Sequence, residues 1–317
     1  MVVKEIGGYF GLEQFHNQEY YADLVAVNTA RNALVYLIKA KNIQKIYLPY
    51  YLCDSVAKVC DREGCAYEYY SINKEFLPIF DKQLGANEFL YVVNFFGQLS
   101  KRYVQTLKDR FQNIILDNVQ AFFQKPIEGV DTIYSCRKFF GVPDGGYLAT
   151  QTVLQEPLEM DESRMRMTHI LGRFEKSASE FYQEFKDNDK AFVHIPLCAM
   201  SSLTHNILGI VDYERVRRKR NGNYQILSDA LGALNSLKLI EQDGPYVYPF
   251  YCKNGMEIKK KLAQEKIYVA TLWPNVLCLE GTLEKDYAEN ILPLPCDQRY
   301  NSEDMKRIVR EIAKCQI

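Results

Sequence analysis

Two short runs hold the residues best suited to chemistry. One is Asp117-Asn118-Val119-Gln120, and the other is Ser135-Cys136-Arg137-Lys138-Phe139-Phe140-Gly141-Val142-Pro143-Asp144-Gly145-Gly146. A lysine amine attacks aldehydes and, once released, shuttles protons. A carboxylate beside a pyridine nitrogen keeps that nitrogen protonated and the ring an electron sink. Glycines at 145 and 146 let the chain turn tightly into the next strand. Taken singly, each piece has a plainer reading: a surface lysine, a helix-capping aspartate, an ordinary Asp-Gly-Gly turn. Their joint order is what a pyridoxal 5′-phosphate (PLP) site needs, with Lys138 carrying the cofactor and Asp117 facing its ring nitrogen.

These residues must be positioned by the elements around them. Apolar spacing predicts a helix over 29–41, with Ala33, Leu34, Leu37 and Ile38 on one face. Lys45–Pro49 reads as a buried strand stopped by proline. A helix over about 52–63 should end at Gly64. Strands follow at 66–70 and 89–94, then a helix over 100–111 capped by Ser100. Further strands are expected at 114–117, 132–135 and 147–150. This alternation predicts an α/β fold with a mostly parallel sheet covered by helices. Ligands bind outside the carboxyl ends of such strands, so Asn94, Asp117 and Ser135 should converge there, with Phe96 nearby. Residues 155–190 read as a polar helical segment and 199–240 as a long helical stretch. Strands at 246–251 and 291–294, with helices at 255–265 and 302–314, make a smaller C-terminal α+β domain. The expected division is a large domain over 1–198 and a small one over 199–317.

Composition narrows the partners. The 317 residues suffice for two such domains. A net charge of −1 gives no field suited to nucleic acid or an anionic membrane. Arg215, Arg217, Arg218, Lys219 and Arg220 read as a solvated helix face. No run approaches the about 18 apolar residues of a membrane span, and Met1-Val2-Val3-Lys4-Glu5 lacks a signal pattern, so a cytoplasmic protein is expected. Nine scattered cysteines read as reduced, packed thiols, since Cys53, Cys60 and Cys65 lack redox or zinc spacing. His16, His169, His194 and His205 are dispersed, so no metal site is expected. Trp273 reads as a core or interface residue.

At these residues the chain resembles the DegT/DnrJ/EryC1/StrS aminotransferases, PLP enzymes of fold type I that mostly act on keto-sugars bound to nucleotides. The likeness runs over nearly the whole chain. Thr29-Ala30-Arg31-Asn32-Ala33-Leu34 is similar to the family's phosphate-cradling helix start, a place where free backbone N–H groups suit an anion. The resemblance implies Asp117 as pyridinium partner, Gln120 beside the ring and its 3-hydroxyl, Lys138 as Schiff-base lysine, and Gly145-Gly146 after it. Ile291-Leu292-Pro293-Leu294-Pro295, then Asn301-Ser302-Glu303-Asp304, resembles the family's closing segment. Ser135 is the implied phosphate ligand. It stands three residues before the lysine, whereas the family commonly has serine five before, a position held here by Ile133. Tyr51 is the candidate for stacking on the ring, with Cys53 at the spot a strict count selects. Pro196–Ala199, before the helix expected from Met200-Ser201, lacks the asparagine that in the family reaches the neighbouring subunit's phosphate. The implied fold has a seven-stranded, mostly parallel sheet sandwiched by helices, in a homodimer.

The function that follows is a PLP-dependent aminotransferase, moving an amino group from an amino acid donor to a keto acceptor of the nucleotide-sugar kind. Two alternatives stay open: another PLP reaction such as elimination or dehydration, and a non-catalytic PLP-fold binding module.

Overall fold

The structure, a computed structural model, describes residues 6–315; the Met1–Glu5 stretch read above lies outside them. The chain opens with β1 (Val25–Val27) and α1 (Ala30–Lys41), then β2 (Lys45–Pro49), α2 (Asp54–Glu63), β3 (Ala66–Ile72) and the two-residue β4 (Pro78–Ile79). It continues through β5 (Glu88–Val93), α3 (Lys101–Phe111), β6 (Ile114–Asp117), β7 (Asp131–Ser135) and β8 (Gly146–Ala149). These eight strands form one sheet in the order β1-β8-β7-β6-β5-β2-β3-β4. Pairings from β3 through β2, β5 and β6 to β7 are parallel, whereas β8 runs antiparallel to both β7 and β1. The eighth strand beyond the expected seven is β4, a short antiparallel addition to β3 at the edge.

The local reasons are those the sequence carries. Thr29 caps α1, its hydroxyl accepting from the Asn32 N–H, and Ser100 caps α3 in the same way from Tyr103. Gly64 stops α2 in the left-handed conformation at φ 66°. β5 and β6 are almost wholly buried, as parallel strands covered on their faces must be. α1 lies against β7, β8 and α2, and α3 packs on β6.

The middle of the chain departs from expectation. Residues 151–167 are mostly irregular and are followed by two short helices, α4 (Thr168–Glu175) and α5 (Tyr182–Ala191). The predicted 199–240 stretch is likewise two helices, α6 (Ser202–Leu208) and α7 (Tyr213–Leu231). Then come β9 (Val247–Tyr251), α8 (Gly255–Gln264), α9 (Leu283–Asn290), β10 (Ile291–Pro295) and α10 (Ser302–Ala313). β9 and β10 pair as an antiparallel ribbon. A second core of Leu227, Leu231, Phe250, Leu262, Leu292 and Ile308 gathers under α7, α8 and α10. Among the described residues no helix is long and apolar enough to cross a membrane, and no group of His, Cys, Asp and Glu is arranged to hold a metal.

Glu19 ties the N-terminal segment to this frame. It accepts from the Tyr147 hydroxyl, and its Oε1 lies 2.6 Å from Nδ1 of His205 on α6. That hydrogen bond raises the His205 pKa above 6.5. A raised imidazole pKa gives stability that is full below about 6.5, the unfolded value, and lost as pH climbs through the folded value. Comparing thermal midpoints of the parent and His205→Gln across pH should therefore show the largest deficit in the variant below about pH 6.5, shrinking on the alkaline side. A deficit constant with pH would remove this pair from the account.

Candidate active site

The carboxyl ends of β5, β6 and β7, the start of the antiparallel β8, and the chain leaving β1 lie along one edge of the sheet. Asp117 ends β6 and is only 3% exposed. Its Oδ2 accepts from the Tyr91 hydroxyl at 2.9 Å, and its Oδ1 accepts from the Val119 N–H at 2.9 Å. Burial raises the Asp117 pKa, while these two bonds and the positive charge of Lys138 oppose the rise. Asp117 and Lys138 thus leave neighbouring parallel strands at the same end of the sheet.

Lys138 closes the single 3₁₀ turn Cys136–Lys138 that follows β7. Its side chain is exposed, and its Nζ lies 5.4 Å from the centroid of the Tyr246 ring. The carbonyl after it, that of Phe139, accepts from Gln298 Nε2 at 2.6 Å and from Arg220 Nη2 at 3.3 Å. Arg220 also donates to the Pro245 carbonyl at 2.8 Å and to Gln298 Oε1 at 2.8 Å, with its guanidinium 4.5 Å from the Phe139 ring centroid. The reading of the 215–220 run as a solvated face is corrected here for Arg220, which is 1% exposed and donates to the carbonyls of buried Phe139 and Pro245. Its signal was present in the sequence: Arg220 shares a helix face with Tyr224, Leu227 and Leu231, at spacings of four, three and four.

Gln120 is buried, and its Oε1 accepts from the Phe96 N–H at 2.8 Å. Its Nε2 is buried with no partner among the described residues. Phe96 holds φ at 55°, an unusual value for a bulky residue. Asn94 is committed to structure: it donates to Asn118 and Gln124 and accepts from the Leu99 N–H.

Thr29 spends its hydroxyl on capping α1, which leaves the N–H groups of Ala30 and Arg31 as the helix's leading donors without an intrahelical acceptor. Gly146, paired with Ser135, packs against this helix start. A Cβ there would lie 2.7 Å from the Ala30 nitrogen, so only glycine permits the approach. Ser135 is buried at the end of β7.

Tyr51 is not brought to the crevice. It is 1% exposed, with ring centroids of Trp273 at 4.4 Å, Phe95 at 5.4 Å and Tyr287 at 6.0 Å. A ring enclosed in this way offers no face for stacking, and Trp273 holds the outer position. Asp144 was read only as part of a turn, yet it is fully buried. It accepts from the Ser201 N–H, the Ser201 hydroxyl and the Thr204 hydroxyl, and so fixes the start of α6 beside the Gly145-Gly146 turn.

The arrangement suits a planar, anionic heterocycle. It offers a buried carboxylate, an amide donor without a partner among the described residues, free N–H groups at a helix start, and an exposed amine. Because the Lys138 turn hangs on Arg220, Arg220→Met should strip donors from the Phe139 and Pro245 carbonyls. The expected cost is about 2–4 kcal/mol, read from the denaturant midpoint. Arg220→Lys should recover little of it, since one ammonium cannot reproduce the planar fork.

No family model and no curated protein matches the sequence. Solved structures do match in shape. A DegT/DnrJ/EryC1/StrS aminotransferase from Brucella abortus superposes with a TM-score of 0.63 at 15% identity, over 92% of this chain and 85% of that one. NtdA from Bacillus subtilis, solved with the cofactor PMP, gives 0.66 at 16% identity over 92% and 72%. DesV from S. venezuelae, solved with a ketimine intermediate, gives 0.63 at 15% identity over 92% and 84%. The chain therefore has the fold of these aminotransferases over most of its length.

Proposed function

We propose that the protein is a PLP-dependent aminotransferase that takes an amino group from an amino acid and delivers it to a keto group, of the sugar kind handled by the enzymes it resembles in shape. The observation that carries the reading is placement: the buried carboxylate of Asp117 ends β6, and Lys138 stands on the turn that leaves the adjacent parallel strand β7. When bound, PLP supplies an electron sink for the bond pair released at the donor's α-carbon.

The chain's own residues do the rest. Lys138 is the residue that would hold PLP, and its free amine would take the donor's α-proton and later return it. Asp117, oriented by Tyr91 and the Val119 N–H, would hold the ring nitrogen protonated. The Gln120 amide, without an acceptor among the described residues, would donate to the ring oxygen. Ala30 and Arg31 at the start of α1, with Thr29 and Ser135 beside them, seat the phosphate. In this reading residues 1–198 bind the cofactor and 199–317 form the small domain, which braces the Lys138 turn through Arg220 and Gln298. Nine free thiols fit a reducing cytoplasm.

A homodimer belongs to the same reading. Lys138 is exposed in a single chain, and Phe10, Met165 and Phe174 present large apolar surfaces that a second copy would cover. Sedimentation should return twice the chain mass.

Purified protein mixed with PLP should develop a visible absorption band that is lost in Lys138→Ala. Glutamate or another donor should then release one equivalent of keto acid. A full band in Lys138→Ala would overturn the assignment of the lysine. A band without keto acid from any donor would favour the elimination or dehydration alternative. No PLP binding at all would favour the binding module.

Asp117→Asn separates catalysis from folding. A carboxyl pKa raised by burial means stability is lost as pH rises from the unfolded value through the folded one, so ionised Asp117 is a burden on the PLP-free protein. The variant should unfold no earlier than the parent at neutral pH. Its keto acid release should fall on the order of 100-fold or more. Equal loss of both would recast Asp117 as a structural residue.

A further inference from the structure

Three arginines meet beside the start of α1, and the function proposed above uses only the backbone N–H of one of them. Arg31 reaches from the first turn of α1 toward Asp189 on α5, with Nη2 3.8 Å from Oδ1. Arg137, the residue before Lys138, approaches the same oxygen at 3.7 Å. Its guanidinium lies 3.9 Å from the Phe192 ring centroid, and that of Arg166 lies 5.5 Å from the same centroid. Arg166 donates to Asp161 at 2.7 Å, and Asp161 also accepts from Asn28, one residue before the Thr29 cap.

The bonding of this cluster is incomplete. Separations of 3.7 and 3.8 Å exceed a hydrogen bond, and Asp189, which serves both arginines, is half-exposed. Arg31 Nη1 and Arg166 Nε are buried and make no hydrogen bond among the described residues. Burial above all, with Arg31 and Arg166 as like charges, holds the Arg137 pKa down to about 10 against the pull of Asp189. Three guanidiniums thus face two carboxylates, with donors left over in a region shielded from water.

We propose that Arg31, Arg137 and Arg166 form a carboxylate-binding pocket in which Asp189 is a poorly fitted internal occupant. Resting on the function proposed above, the ligand is a carboxylate of the amino donor. Carboxylate chemistry is favoured for two reasons. The present occupant is itself a carboxylate. A guanidinium such as that of Arg137, 3.9 Å from the Phe192 ring centroid, is also a planar fork of donors that matches a planar two-oxygen group. The cofactor phosphate has its own donors at the Ala30 and Arg31 N–H groups. Arg137 is covalently next to Lys138, so a carboxylate held there keeps the donor's amine close to the reactive centre.

Glutarate is a suitable probe, being a dicarboxylate with neither amine nor ketone to react with an aldehyde. Calorimetric titration into the full chain, PLP-free and PLP-loaded, should show saturable binding in both. Arg137→Gln and Arg166→Gln should each weaken it by about tenfold or more, with the PLP absorption band of Arg166→Gln unchanged. Asp189→Asn should tighten it, because the internal competitor is gone; a merely structural Asp189 predicts no gain. The proposal is overturned if glutarate does not saturate the parent, or if its affinity ignores both Arg166→Gln and Asp189→Asn. It is equally overturned if PLP loading or inorganic phosphate abolishes glutarate binding, which would make the cluster part of the phosphate seat. Should PLP give no band while glutarate binds with these dependences, the aminotransferase reading falls and the pocket stands.

Discussion

The structure is organised around one costly group, the carboxylate of Asp117 held out of water at the end of a central strand. Removing a carboxylate from water is tolerated only when hydrogen bonds and opposite charge compensate it. Here Tyr91 and the Val119 amide supply the bonds, and Lys138 supplies charge across the strand ends. Tyr91 comes from β5, Asp117 from β6 and the Lys138 turn from β7, so the compensation works only while three neighbouring parallel strands keep their register. The parallel core of the sheet is the device that holds these groups together.

A second constraint couples the two ends of the chain. The turn that presents Lys138 is not self-supporting; its Phe139 carbonyl is satisfied by Arg220 of α7 and by Gln298 beyond β10. A buried guanidinium spreads its donors over several carbonyls at fixed angles, so it fixes orientation as well as distance. The C-terminal elements therefore set where the Lys138 turn stands, although they contribute no residue to the proposed chemistry.

Much of this was legible in the sequence, and the misses have physical causes. β2 and β6 were read to the residue because continuous apolar runs ended by Pro49 and Asp117 leave little latitude. The Gly64 stop and the Ser100 cap were equally plain. β1 is only three residues long and owes its state to pairing with β8, which no local pattern announces. α9 buries Glu284 with Tyr287 and Ala288, so its face does not read as apolar. Arg220 was misread because charge was weighed before position. Tyr51 was given a ligand-facing role from its place after a strand, but Trp273, far along the chain, covers it. The meeting of Arg31, Arg137 and Arg166 lies wholly in tertiary structure and leaves no trace in spacing.

The fixed orientation of Gln120 carries a consequence for ligand discrimination. Its oxygen is occupied by the Phe96 peptide, on a turn whose backbone sits at an unusual φ, so the amide cannot rotate to present its other end without giving up that bond. Whatever lies against Gln120 therefore meets a donor and never an acceptor. A ring bearing an oxygen at that position is welcomed best as the anion. A ring with hydrogen there strands a dry N–H, and a ring with an amino group sets two donors against each other. The side-chain amide of Gln120, fixed by one backbone N–H, would thus act as a polarity filter on a bound heterocycle, by leaving it a single hydrogen-bonding sense to satisfy.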